Sequence, residues 1–224
     1  MEVLWFLKQR TTFIRRHYQI AEAPFRDIIR KIEANEEPYE ASYSEDGEPA
    51  FLEEWIEANT SLEILGATCV SMLSEALKLY FLTWERQIGI ECQKHFRSTF
   101  KEMGFVNGYK TCFGCLIETD WSNCPADFAL IEQIVLARND SQHHKEITDI
   151  RLRHSGKTRE KHPLPFFLSD QEKRLIGTEE YQEYPWSGLS LVVTQDNLFE
   201  AIRQVELLGE WIERPLFEVK YRRR

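Results

Sequence analysis

The sequence has few cysteines and no excess of positively charged residues. It also lacks a long apolar run without charged residues. Its five cysteines in 224 residues are an odd number and too few for a disulfide scaffold, so we expect reduced thiols and a cytoplasmic location. The start, Met1–Phe6, lacks the basic segment of a secretory signal. The longest apolar stretch, 62–82, contains Glu63, Glu75 and Lys78, which predicts a core helix and no membrane span.

The charge balance also limits the kinds of partner. A net charge of −9 argues against a general RNA binder, because non-specific affinity for nucleic acid comes mainly from Lys and Arg on phosphates. An acidic average still permits a local basic groove, and it suits a protein that stays soluble and binds selectively. Hydrophobic content of 42% and charged content of 29% are those of an ordinary globular chain, for which one domain is the default.

Helical periodicity dominates the first half of the chain. Apolar residues follow helical spacing over 2–32, where Pro24 is expected to end or kink the helix. Residues 33–54 hold nine acids and neither Lys nor Arg, which predicts a solvated connection. Over 50–86 the apolar residues repeat at alternating intervals of three and four. We expect a central helix packed on two sides there, with core packing favoured over a dimer interface.

The middle of the chain predicts two more helices. Residues 88–103 form the first, and Gly104–Asn123 should be irregular, with Asn107-Gly108 as a tight-turn signal. A clear helix start follows, with Asp127 inside the first turn, where an acid suits the helix dipole. The apolar face of this helix leads directly to Arg138.

The C-terminal region mixes patterns. Leu189–Val193 is typical of a short strand, and Asp196 or Asn197 should cap a final helix that runs to about Glu213. Leu216–Tyr221 alternates like a second strand that could pair with the first. The predicted fold class is therefore all-α, mainly a helical bundle, with a small β pair near the C-terminus.

One hexad carries the chemistry, and it reads Arg138-Asn139-Asp140-Ser141-Gln142-His143. A guanidinium grips phosphate, an imidazole moves a proton near neutral pH, and an amide can orient the imidazole or a sugar hydroxyl. The chain contains 17 Arg, 6 Asn and 6 His. Arg followed directly by Asn and four residues later by His is then expected only about 0.01 times by chance. The hexad is thus a candidate phosphodiester-cleaving site.

The hexad resembles the signature of the HEPN superfamily (higher eukaryotes and prokaryotes nucleotide-binding domains). That signature is Arg, four to six residues, then His, often with Asn beside the Arg. The apolar lead-in 130–137 is similar to the family's helix before the motif. The resemblance implies an all-helical, metal-independent endoribonuclease of toxin–antitoxin or phage-defence type, without a cofactor. It also implies a homodimer that forms one composite cleft from two motifs, held in check by a separate antitoxin or inhibitor protein.

The resemblance also implies roles for the residues. His143 would take the proton of the ribose 2′-hydroxyl or give one to the leaving 5′-oxygen, Arg138 would hold the scissile phosphate, and Asn139 would orient the histidine or the sugar. His144 fits the looser form of the pattern and is an alternate for His143. On an ideal helix Arg138 and His143 are about 140° apart, so either the helix distorts between them or their side chains meet in a groove at the helix edge. The resemblance implies the second arrangement, within a cleft that two protomers share.

A basic window, 145–162, follows the motif. It could guide an RNA backbone toward the hexad, although a solvated loop is an equal alternative for any single residue. The candidates for nucleic-acid binding are Lys145, Arg151, Arg153 and Lys157. Ser155-Gly156-Lys157-Thr158 resembles the end of a P-loop but fails that pattern, because Arg151 stands where a glycine is required.

Two alternatives stay open. The chain could be a non-catalytic helical module that binds RNA, nucleotide or protein, with Arg138 only stabilising a helix C-terminus. Cys112-x-x-Cys115 with Cys124 supplies three ligands of a zinc site, but no fourth ligand stands at a usual spacing, so we favour packed thiols and no metal.

The expected organisation is one HEPN-like helical domain over 1–224. Its three parts are an N-terminal helical extension with the acidic connection (1–49), a core with the motif (50–150), and a basic loop, short strands and final helix (151–224).

Overall fold

The computed structural model describes residues 2–40, 49–142, 151–176 and 189–222, and over these the chain is all-α, as predicted. The helices, in chain order, are α1 (Val3–Ala34), α2 (Leu52–Ile88), α3 (Cys92–His95), α4 (Arg97–Met103), α5 (Phe105–Ile117), α6 (Phe128–Gln142), α7 (Gly156–Lys161), α8 (Asp170–Leu175) and α9 (Gln195–Arg222).

Helix α2 is central, as its periodicity predicts, because it packs against α1, α6 and α9. By length and composition α2 could cross a membrane, but 61% of its most apolar window is buried inside the protein, which is compatible with the core helix of a soluble protein. Helices α1 and α9 run antiparallel beside it. The Leu4 backbone N–H donates to Glu213 (3.0 Å), and the Thr11 hydroxyl donates to Glu206 (2.5 Å).

Of the two outcomes expected at Pro24, an end or a kink, the end is wrong, because α1 continues to Ala34. Pro24 lies on the exposed face, and so does Ile20, whose carbonyl would otherwise accept the hydrogen bond that proline lacks. Water can satisfy that carbonyl. On the opposite face Tyr18 and Glu22 are buried, so packing holds the helix through the proline.

The region 88–123 also differs from its prediction. The single helix expected over 88–103 is two short helices, α3 and α4, and the irregular segment expected over 104–123 contains α5. Asn107-Gly108 lies inside α5 and forms no turn. A Cβ on Gly108 would come within 2.5 Å of the Phe100 ring, so this glycine serves the close packing of α4 on α5.

The predicted C-terminal strand, Leu216–Tyr221, is wrong because α9 continues through Pro215 to Arg222 and well beyond the expected end at Glu213. Leu216 and Val219 are buried three residues apart, which is a helical period and not an alternating one. The cap of α9 was also misplaced. Thr194 accepts a hydrogen bond from the Asn197 backbone N–H (3.3 Å), so Asp196 and Asn197 lie inside the first turn.

Residues 189–193 meet a different partner from the expected one. A single antiparallel bridge joins Ser190 to Arg153, and the Leu191 N–H donates to the Leu152 carbonyl (2.9 Å). This contact places the end of the basic window next to the core and beside α6.

The cysteines are not all reduced, contrary to the prediction. Cys92 at the start of α3 is joined by a disulfide to Cys112 in α5, with a Cα–Cα distance of 5.7 Å. The zinc alternative therefore loses Cys112 as a ligand. Cys69, Cys115 and Cys124 remain free.

Candidate functional site

Helix α6 carries the first five residues of the hexad, and its N-terminus is firmly anchored. The Asp127 carboxylate accepts from the backbone N–H groups of Ala129 (2.8 Å) and Leu130 (3.2 Å), while the Asp127 N–H donates to Gln204 of α9 (2.7 Å). Asp127 is therefore the cap before α6 and not a first-turn residue. Ile131 and Ile134 are fully buried, so the helix is a rigid support for its C-terminal residues.

Arg138 and Asn139 lie in the last turns of α6, both partly exposed. The Arg138 guanidinium donates to the Asn139 side-chain oxygen at 3.1 Å. The Arg138 carbonyl accepts from the Ser141 hydroxyl (2.9 Å), and that hydroxyl lies 3.4 Å from the Ser71 hydroxyl of α2. The two residues expected to grip phosphate and orient the sugar are thus side by side at a solvent-facing helix end.

Asp140, the central residue of the hexad, has a structural role that the sequence reasoning missed. Its carboxylate accepts from the Thr158 hydroxyl (2.8 Å) and from the Ser155 backbone N–H (3.2 Å). Burial alone would raise the pKa of this carboxyl, but the surrounding hydrogen-bond donors outweigh burial and lower the pKa below its ordinary value. Asp140 is therefore held as a carboxylate that fixes the start of α7 to α6.

His154 lies beneath the motif and is only 5% exposed. Its Nε2 is 2.8 Å from the Phe167 carbonyl, which can only accept, so Nε2 carries a proton. Its Nδ1 is 3.6 Å from the Asp140 carboxylate and makes no hydrogen bond within the described residues. Because it is buried and bound in this way, His154 is not available to a dissolved RNA as a proton carrier.

The basic window does not act as one surface. Arg151, Arg153 and Lys157 are exposed, as a role in guiding RNA requires. His154 is instead buried, and Lys161 and His162 bind Glu132 of α6, at 2.5 and 3.1 Å. The basic window therefore contains exposed residues that a ligand could contact, and other residues that bind α6 or are buried.

Ser155 explains the P-loop resemblance in another way. Its hydroxyl accepts from the Thr158 N–H (3.2 Å), so Ser155 is the N-cap of α7. A serine directly before a short helical segment is the sequence feature that could have predicted this N-cap. Nothing in the spacing indicated that Asp140 and His154 would meet beneath it.

Three predicted residues, His143, His144 and Lys145, lie outside the described residues. The assignment of the proton-transferring histidine therefore remains a prediction. Within the described ranges, no group of three or more His, Cys, Asp or Glu side chains is arranged to hold a metal ion.

Comparisons of this chain with family models, with curated proteins and with solved structures find no match.

Proposed function

We propose that this chain is a metal-independent endoribonuclease that acts as a toxin or phage-defence effector. The observation that carries the proposal is the Arg138–Asn139 pair, joined at 3.1 Å on the partly exposed end of a rigid helix. A guanidinium in this position can bind a phosphate with its remaining N–H groups, since the contact with Asn139 uses only Nη1.

The proposed reaction is attack of a ribose 2′-oxygen on the adjacent phosphorus. The bond to the 5′-oxygen breaks, and a 2′,3′-cyclic phosphate forms. His143, or His144 in its place, accepts the 2′-hydroxyl proton or donates one to the 5′-oxygen, which contributes about 10²–10⁴-fold. Arg138 stabilises the added charge on the phosphate. Asn139 orients the histidine or the sugar. DNA lacks the 2′-hydroxyl and is not a substrate.

The wider site draws on the basic residues that follow the motif. In this proposal the exposed Arg151, Arg153 and Lys157, together with Lys145, guide the RNA backbone toward the motif. Two protomers bring their motif helices together about a two-fold axis, which is the commonest oligomer symmetry. The protein acts in the cytoplasm, where its RNA is found, and a separate protein inhibits it.

The test is cleavage of single-stranded RNA by the purified chain in EDTA. Wild type should leave 2′,3′-cyclic phosphate ends and spare DNA of the same sequence. Arg138→Ala should lower the rate at least about 10²-fold, and His143→Ala should abolish cleavage. Arg214→Ala is the matched control, because Arg214 is 89% exposed on α9 and pairs only locally with Glu218. Cleavage that survives in Arg138→Ala contradicts the proposal.

A second candidate function is a non-catalytic RNA- or protein-binding module. It is favoured by the commitment of Asp140 to α7, which gives the hexad a structural role independent of catalysis. For RNA binding, wild type would retain RNA on a filter without cutting it, and Arg138→Ala would weaken retention.

A further inference from the structure

The disulfide between Cys92 and Cys112 is sealed from solvent, whereas a third cysteine beside it is not. Cys92 is 0% exposed and Cys112 is 2% exposed, so a dissolved thiol has no direct path to their sulfur atoms. Cys115 stands one helical turn after Cys112 on α5 and is exposed. Two of the three cysteines therefore form a buried disulfide, and the third is a neighbouring thiol that solvent can reach.

All three cysteines border the same space. A surface pocket of about 320 Å³ is lined by Cys92, Cys112 and Cys115, together with Glu91, His95 and mostly apolar residues. A free thiol that shares a pocket with a disulfide is the arrangement required for exchange, because exchange depends on access of one sulfur to another.

The position of Cys115 in α5 favours a shift of the disulfide. Side chains three residues apart on a helix have Cβ atoms about 5–6 Å apart, whereas a disulfide needs about 3.5–4.5 Å. Cys115 lies in the last turn, since α5 ends at Ile117 and Glu118 adopts a left-handed conformation. Only this final turn has to tighten for Cys112 and Cys115 to bond.

The other free cysteines are poor candidates for this step. Burial raises the pKa of the Cys69 thiol to about 11, and burial also raises the pKa of the half-buried Cys124 thiol. Both are therefore held as thiols at neutral pH, and only a thiolate attacks a disulfide. Cys115 is the exposed member of the three.

We propose that Cys92, Cys112 and Cys115 form a thiol–disulfide exchange site for small thiols such as glutathione. The Cys115 thiolate attacks the Cys112 sulfur, the Cys92–Cys112 bond breaks, and Cys92 leaves as a thiolate that takes up a proton. This step conserves electrons and needs no oxidant. One glutathione thiolate then attacks the exposed Cys115 sulfur of the Cys112–Cys115 bond and releases the Cys112 thiolate, and a second glutathione releases Cys115 and leaves with the first as glutathione disulfide.

The exchange would release α3 from α5. Helix α3 has only four residues, and the disulfide is a side-chain cross-link between it and α5. Among the contacts that remain after exchange is the Cys92 N–H bond to the buried Glu85 carboxylate (2.6 Å), which also accepts from Tyr109 (3.0 Å). Disulfides in cytosolic proteins are usually transient and redox-active, so the site also accords with the proposed location.

The test follows loss of the Cys92–Cys112 bond in reduced glutathione, by alkylation and peptide mass spectrometry. Cys115→Ser should slow this loss by roughly tenfold or more, because the buried disulfide can then no longer be attacked by the neighbouring Cys115 thiolate. Cys124→Ser is the matched control and should react like wild type. Equal rates in wild type and Cys115→Ser would overturn the proposal, since reduction would then proceed by opening of the fold.

A second variant tests the new bond directly. Cys92→Ser treated with glutathione disulfide should yield a peptide cross-linked through Cys112 and Cys115. Recovery of these two cysteines as separate thiols or glutathione adducts would contradict the exchange step. Neither measurement depends on RNA cleavage, so the exchange site can fail without affecting the proposed nuclease, and the reverse also holds.

Discussion

Helix α6 carries two buried carboxylates, Glu132 and Asp140, that hold the same downstream segment by different chemistry. Glu132 binds cationic or protonatable groups, Lys161 at 2.5 Å and His162 at 3.1 Å, together with the Asn107 amide at 2.9 Å. Asp140 is held by a hydroxyl and a backbone N–H, with a histidine nitrogen more distant at 3.6 Å.

Both carboxylates support the fold, whereas the arginine on the same helix is not engaged by either of them. Arg138 lies two residues before Asp140, yet its guanidinium binds the neutral amide of Asn139. Within the described part of the chain, no carboxylate lies at ion-pair distance from Arg138. The proposed role of Arg138 in binding phosphate depends on this uncompensated positive charge.

The largest effect should come from Glu132→Gln. The change leaves Lys161 and His162 without a counter-ion, and we expect the free energy of unfolding to fall by about 2–4 kcal/mol. The value is not higher because the Lys161 side chain is 39% exposed. Urea unfolding measures it, with Glu160→Gln on the exposed face of α7 as the control. If the free energy of unfolding fell no more than in the control, Glu132 would not hold the downstream segment in place.

Asp140→Ala should have the next largest effect. The Thr158 hydroxyl and the Ser155 N–H lose their acceptor, which costs about 1–3 kcal/mol of unfolding free energy. Asp140→Asn should cost about 1 kcal/mol less than Asp140→Ala, because the amide keeps the acceptor and can donate to Nδ1 of His154. Unfolding of the two variants under one set of conditions checks this order. The reverse order would mean that the negative charge itself is required beside His154.

The contribution of the Asp140 charge should also depend on pH. Because the pKa of this carboxyl is lower in the folded chain, its stabilisation is complete above the unfolded value near 3.9. The stabilisation is lost as the pH falls through the folded value. The difference in unfolding free energy between wild type and Asp140→Asn should therefore be constant from about pH 7 to pH 5 and change only in acid. A change in this difference near neutral pH would contradict the prediction.

The correct predictions concern helices whose formation depends on the spacing of apolar residues that are close together in the sequence. The all-α class, the central α2 and the position of Arg138 at the end of a buried helix all follow from apolar periodicity. Predictions failed where a local signal was overridden by packing. Helix α1 continues past Pro24, α9 continues through the predicted strand Leu216–Tyr221, and Gly108 serves a contact with Phe100 instead of a turn.

The candidate site was predictable only in part, for the same reason. The Arg138–Asn139 pair is adjacent in sequence, so its proximity required no knowledge of the fold. The partners of Asp140 are 14 to 18 residues away (154 − 140 and 158 − 140), and the disulfide spans 20 residues. Contacts of this kind depend on how helices pack, which residue spacing does not encode.

Arg138→Ala should have the smallest effect on stability and a large effect on RNA. Arg138 is partly exposed, and its side chain donates a hydrogen bond to the neighbouring Asn139, so the free energy of unfolding should change by less than about 0.5 kcal/mol. In the same preparation, RNA cleavage or retention should fall. This combination would separate Arg138 from the two carboxylates on its helix. If Arg138→Ala were instead as destabilising as Asp140→Ala, the arginine would belong to the support of the fold, and a ligand-binding role would lose its basis.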